Sequence, residues 1–195
     1  MLVCATFILV AGTSIAKNTT QDPLDAEIEW IHIFDSIIND RAYYVEQTAD
    51  GGYIFTGSTI ATPPGYTEVL LVKTDVTGEE SWHHHFPIEM TNLFGKTVHQ
   101  TTDGGYIIVG DVGGSWLWDV QVTKANANGD LVWQKSFGKS NGPDHGHDVL
   151  QTSDGGYIVL GDTSTYGAGG YDLWLIKLTA DGTEQWNTYE NTSQT

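Results

Sequence analysis

Apolar residues recur along this chain in short runs of four or five, bounded by glycine, aspartate or asparagine. No stretch shows a sustained helical period with caps, so the pattern predicts strands joined by tight turns. One phrase recurs three times: Gln47-Thr48-Ala49-Asp50-Gly51-Gly52-Tyr53-Ile54, then Gln100 to Ile107, then Gln151 to Ile158. A period of this size signals a repeat architecture. Each copy goes on in the same way: an acidic residue (Glu68, Asp119, Asp172), a lysine five residues on (Lys73, Lys124, Lys177), a glycine (Gly78, Gly129, Gly182) and a tryptophan (Trp82, Trp133, Trp186). The copies differ in length only in the stretch between the first strand pair and the acid, which marks that stretch as a variable loop.

Each unit predicts four antiparallel strands. The first ends in Gln-Thr. The Asp-Gly-Gly of Asp50-Gly51-Gly52, Asp103-Gly104-Gly105 and Asp154-Gly155-Gly156 turns the chain, because glycine reaches positive φ without steric cost. The second strand is nearly continuous in apolar character, as in Tyr106-Ile107-Ile108-Val109, and is expected to be buried on both faces. A turn rich in Asp, Asn and Gly joins the third strand to a fourth that carries Trp82, Trp133 or Trp186. The acid and lysine of each unit lie five apart, on opposite sides of one strand. That predicts inter-unit hydrogen bonds for one and a pair with a neighbouring unit for the other.

Four-stranded antiparallel units of about 50 residues imply an all-β fold built as a β-propeller. The units are expected over residues 40–87, 94–138 and 145–190. Residues 26–34 match only the fourth strand, with Trp30 and Phe34 in the places of Trp82 and Phe86. The expectation is three complete blades plus one extra strand, a partial or open propeller. Terminal blades would then expose apolar faces. A longer propeller, association with itself or a partner, and an open arc all remain as readings, the first two favoured because bare faces invite aggregation.

The run Asp75 to Trp82 resembles the tryptophan-docking motif of quinoprotein-type propellers, in which an Asp, a Gly turn and a Trp lock the outer hairpin. The other units keep only Gly129 with Trp133 and Gly182 with Trp186. The whole unit, with its Asp-Gly-Gly-Tyr-Ile, resembles secreted bacterial and archaeal β-propeller repeat proteins, including the seven-bladed propeller repeat. The likeness covers roughly residue 28 to the C-terminus. It implies the fold and a surface setting, and says little of activity.

Composition narrows the function classes. Acidic residues number 25 against 8 basic, a net charge of -17, which argues against nucleic-acid binding. The single cysteine, Cys4, excludes an intramolecular disulfide and a cysteine-based zinc site. Residues 1–16 carry an apolar run and small residues at Ser14 and Ala16, and read as a secretory signal without the basic residue that normally precedes one. The competing reading is a buried strand. Residues 17–27 read as a linker and residues 28–195 as the repeat domain. With the signal removed, no transmembrane span is expected, and the localisation follows as extracellular or cell surface.

Two places suggest chemistry. His83-His84-His85 reads as a solvated edge strand before it reads as a metal site. Asp144, His145, His147 and Asp148 form a candidate metal set, since carboxylate and imidazole suit zinc or a similar divalent ion. A turn around Gly142, Pro143 and Gly146 is the competing account. Calcium on the repeated acids is a second metal possibility; no other cofactor is expected. No serine elbow, metalloprotease helix motif or phosphate loop is present. The chain therefore reads as a non-catalytic scaffold that binds protein or glycan or associates with itself. The alternative is part of a propeller enzyme, a quinoprotein-like oxidoreductase or a glycan hydrolase.

Overall fold

A computed structural model of the protein describes residues 29–34, 39–61, 65–88, 91–139, 141–167 and 170–189. The expected signal and linker, residues 1–16 and 17–27, lie outside the described residues. Twelve strands and no helix make up the described part. They form three four-stranded antiparallel sheets. The first holds β1 (Arg41–Gln47), β2 (Tyr53–Ile60), β3 (Thr67–Thr74) and β4 (Glu80–Phe86). The second holds β5 (Asn92–Gln100), β6 (Tyr106–Gly114), β7 (Leu117–Ala125) and β8 (Leu131–Phe137). The third holds β9 (Asp144–Gln151), β10 (Tyr157–Thr163), β11 (Asp172–Leu178) and β12 (Glu184–Tyr189). In each sheet the strands lie side by side in chain order.

The sheets stack face on face in the same order. β5 packs on β2 and β3, and β9 packs on β6 and β7, while the first strand β5 of the middle sheet adjoins both β1 and β9. Two apolar cores result. Val69 and Leu71 of the first sheet meet Leu93, Val98, Tyr106 and Ile108 of the second. Val109, Val120 and Val122 of the second meet Val149, Tyr157, Val159, Trp174 and Ile176 of the third. The second sheet lies between two neighbours, so β6 is buried on both faces along its first half, as its unbroken apolar run predicts. β10 of the third sheet is buried only at alternate positions, because one of its faces is uncovered.

Glycine permits the tightest joint inside each sheet. A Cβ on Gly110 would stand 1.6 Å from the backbone oxygen of Phe94, and one on Gly57 stands 1.7 Å from that of Arg41. Both glycines lie beside a β-bulge in the first strand of their sheet, which brings the backbones closer than a side chain allows.

The repeated lysine departs from expectation. Lys73, Lys124 and Lys177 do not reach a neighbouring sheet. Each folds back along its own sheet to the aspartate of the Asp-Gly-Gly turn, at 2.9 Å from Asp50, 3.1 Å from Asp103 and 3.0 Å from Asp154. The pairing register explains this: Lys73 stands opposite Ile54, Lys124 opposite Ile107 and Lys177 opposite Ile158, each next to the turn. Burial would leave an ammonium costly without a partner, and the turn carboxylate is the nearest one.

The extra strand also differs. Residues 29–34 take no strand conformation, and residues 26–28 lie outside the described ones. The side chains nevertheless dock as the repeat predicts. Trp30 lies 5.7 Å from Tyr53, as Trp82 lies 5.7 Å from Tyr106 and Trp133 lies 5.8 Å from Tyr157. Each tryptophan covers the positive-φ glycine of the following hairpin: Trp30 over Gly78, Trp82 over Gly129, Trp133 over Gly182. The tryptophan therefore clasps the outer hairpin of the next sheet.

Candidate functional site

The turn end of every sheet is closed chemistry. The Asp50 carboxylate accepts from Thr48 Oγ1 (2.5 Å), Gly52 N (3.0 Å) and Lys73 Nζ (3.1 Å). Asp103 and Asp154 repeat the arrangement with Thr101, Gly105 and Lys124, and with Thr152, Gly156 and Lys177. Hydrogen bonds from Lys73 and then Thr48 hold the Asp50 carboxyl at about 2. At Asp103 burial pushes upward, but the bonds from Thr101, Gly105 and Lys124 outweigh it and leave the group lowered. Thr152 and Lys177 hold Asp154 well below the carboxylate range. Burial, helped by Asp103, pushes the Tyr157 phenol up to about 12. The residues singled out as a fold device, Asp50, Gly51, Gly52 and their counterparts in the other units, are in these turns, so they carry no free site.

Between the sheets lie two polar bridges that the repeat does not announce. His99 sits between two carboxylates, with Nδ1 at 2.5 Å from Glu46 and Nε2 at 3.0 Å from Asp148. It joins β1, β5 and β9. Asp111, only 6% exposed, pairs with Lys96 Nζ at 2.7 Å and with His145 Nδ1 at 3.0 Å, and accepts from Gly146 N at 3.1 Å. It fixes β9 to β6. The matching positions of the other units hold different residues: Glu46 and Leu150 stand where His99 does. Repetition cannot reveal such bridges.

The candidate metal residues are distributed among separate partners. Asp144 is fully buried and accepts from Thr163 Oγ1 (2.5 Å), Thr165 Oγ1 (2.7 Å), Ser164 N and Lys139 N (each 3.2 Å). His145 pairs with Asp111, His147 with Asp162 at 2.5 Å, and Asp148 with His99. The Asp144 and Asp148 carboxylates accept from hydroxyl, amide and imidazole donors, and each histidine gives one ring nitrogen to a carboxylate of its own. Among the described residues, no three His, Cys, Asp or Glu side chains converge as metal ligands. The donor set as folded does not fit zinc. The repeated acids are also apart: Glu68 pairs with His85 at 3.5 Å, and burial together with nearby Asp144 raises the Asp119 carboxyl. His83 and His85 do share a face, with rings 5.4 Å apart, and Glu80 takes His83 at 2.7 Å.

The opposite end of the sheets is where the units diverge. There the β2–β3, β6–β7 and β10–β11 connections join the second and third strands of each sheet. Trp116 is 86% exposed at the tip of the β6–β7 hairpin, held by Ser115 at φ 58°. Leu117 and Tyr171 are also exposed. Below the tips, Trp118 packs on Phe94 at 5.5 Å and Tyr171 stacks on His145 at 6.0 Å. An aromatic surface over a rigid polar underlayer is what recognition of a flat ligand requires. The sequence directs attention to these loops through their unequal length, but not to the exposure of Trp116.

No protein-family model matches the chain, and no curated protein matches it. Among the described residues, no helix is long and apolar enough to cross a membrane.

Proposed function

We propose that the chain is a blade array of the β-propeller type, secreted or held at the cell surface, which binds protein or glycan without catalysing a reaction. Three sheets of identical strand order, with their first strands adjoining at the inside, support the propeller reading. The observation that carries the binding role is Trp116. A tryptophan with 86% of its surface in water, on a tip fixed by a hairpin, is an anchor awaiting a partner. Tyr171, in the β10–β11 connection, is a second exposed aromatic at the same end of its sheet. In this reading the turn ends, with their saturated aspartates, hold the blades, and the loop ends carry recognition.

The test immobilises the chain and exposes it to a panel of neutral oligosaccharides and, separately, to cell-surface protein. Retention that disappears in Trp116→Ala and Tyr171→Ala, with the melting temperature unchanged, supports the loop face. Equal retention by the double variant removes it from consideration. Export is tested by fusing residues 1–27 to a reporter enzyme that is active only outside the cytoplasm. A reporter that stays inside refutes the signal reading.

A further inference from the structure

Among the described residues the same joint is made twice, and the first and third sheets carry the unmatched halves of that joint. At each internal joint, apolar residues on the back of one sheet meet the front of the next. Three clasps accompany the contact. The tryptophan of the fourth strand covers the next sheet's glycine and tyrosine. A glutamine of the next sheet accepts from the turn behind it: Gln100 from Ala49 N and Gln151 from Thr102 N, both at 2.8 Å. A glycine in the next first strand, Gly95 or Gly146, lets its backbone press on the sheet behind.

The back of the third sheet has the apolar part and the tryptophan. Leu160, Leu173 and Leu175 stand where Val109, Val120 and Val122 are fully buried, yet are 41%, 62% and 37% exposed. Trp186 is 48% exposed, with no glycine beneath it among the described residues. The front of the first sheet has the other half. Val45 is 56% exposed, whereas its counterparts Val98 and Val149 are 0% and 1% exposed. Among the described residues, the segment 29–34 lies over that front. It holds by side chains: Trp30 on Tyr53 and Gly78, His32 to Thr77 O at 3.2 Å, and Phe34 on Phe55 at 4.9 Å. It forms no strand, and beside Phe34 lies a shallow open depression lined by Leu70, Val72, His83 and His85 together with Asp40 and Glu80.

We propose that the back of the third sheet docks the front of the first sheet of a second copy of this chain, head to tail. Trp186 of one copy displaces Trp30 from Gly78 of the other, because β12 arrives as a paired strand and residues 29–34 do not. The contact is heterologous, and two copies close it into a ring of six sheets, within the roughly four to eight of known propellers. The loop reading above is not needed for it. With a net charge of -17 on each copy, association strengthens as salt screens their repulsion.

Sedimentation velocity of the full chain in ~0.15 M salt is the test, and the expected species has twice the 21.3 kDa chain mass. Leu173→Asp and Val45→Asp each give a folded monomer, because both positions are exposed in the single chain, and its melting no longer depends on protein concentration as that of the dimer does. Mixing the two variants restores a dimer through the one joint left intact. Trp186→Ala weakens association roughly tenfold or more, and Trp30→Ala strengthens it. Ala42 stands where the other sheets have Gly95 and Gly146, at which a Cβ meets the sheet behind at 2.3 and 2.7 Å, so Ala42→Gly strengthens it too. A wild-type chain that remains monomeric overturns the proposal. So does a dimer that Val45→Asp leaves intact, since that pattern belongs to a back-to-back contact.

Discussion

The two ends of each sheet obey different rules. At the turn end, three copies of one device recur with distances that agree within a few tenths of an ångström: threonine, glycine amide and buried lysine converge on an aspartate. At the loop end no two copies agree. One carries Trp116 in open water, another a tyrosine stacked on His145, and in the third Gly65 N donates to Ala61 O. The difference shows what repetition is for in this molecule. A satisfied polar turn can be copied without regard to its neighbours, because its partners all come from the same sheet. A recognition surface gains nothing from being copied.

Substitutions separate the two ends by size of effect. The largest is expected at the bulged joint. Gly110→Ala drives a Cβ into the Phe94 carbonyl, which is backbone and cannot step aside, and should cost more than ~4 kcal/mol in urea unfolding. Asp103→Ala at the turn end leaves the Lys124 ammonium with only the Ala125 carbonyl, and should cost about 2 kcal/mol, moderated because Asp103 itself is solvent-screened. Trp116→Ser at the loop end should move stability by no more than ~0.5 kcal/mol while abolishing ligand retention. If Asp103→Ala proves as harmless as Trp116→Ser, the contrast between the ends collapses.

Acid sharpens the contrast further. The turn carboxyls are depressed in the folded chain, Asp50 to about 2, against an unfolded value near ~3.9. Their contribution is therefore complete above ~pH 4 and is lost as pH falls toward ~2. Asp119 acts in the opposite sense, because its raised carboxyl gains stability on protonation. The triple variant Asp50→Asn, Asp103→Asn, Asp154→Asn should flatten the fall in melting temperature across that window. An unchanged acid profile would show that the turns do not govern it.

The strands, their order and their turns were legible because the period exposes them three times over. Glycine and aspartate at fixed offsets are local instructions, and the chain follows them. Contacts between side chains distant in sequence were less legible. Lys73 and Asp50 are 23 residues apart, and only the hairpin register between Ile54 and Lys73 makes them neighbours. Glu46, His99 and Asp148 come from three sheets, and no periodic trace marks them. Residues 29–34 have the composition of a strand, but an edge to pair with is a property of the assembled molecule. Side-chain docking survives without one, as Trp30 on Gly78 shows. The candidate metal residues illustrate the same limit: four suitable side chains lie within five positions, and each is bonded to a different group of the fold.

The clasps between sheets also give the chain a mechanical direction. Among the described residues the first and second sheets are each held to their successor by a tryptophan, and the second and third to their predecessor by a glutamine, so the third sheet is clasped on one side only. A pull applied to the chain ends in an optical trap should peel the third sheet first and then release the others singly. Each release should lengthen the tether by on the order of 150 Å, the extended reach of one sheet's residues. The molecule would behave as a zipper with one open end, whose first tooth is Trp186.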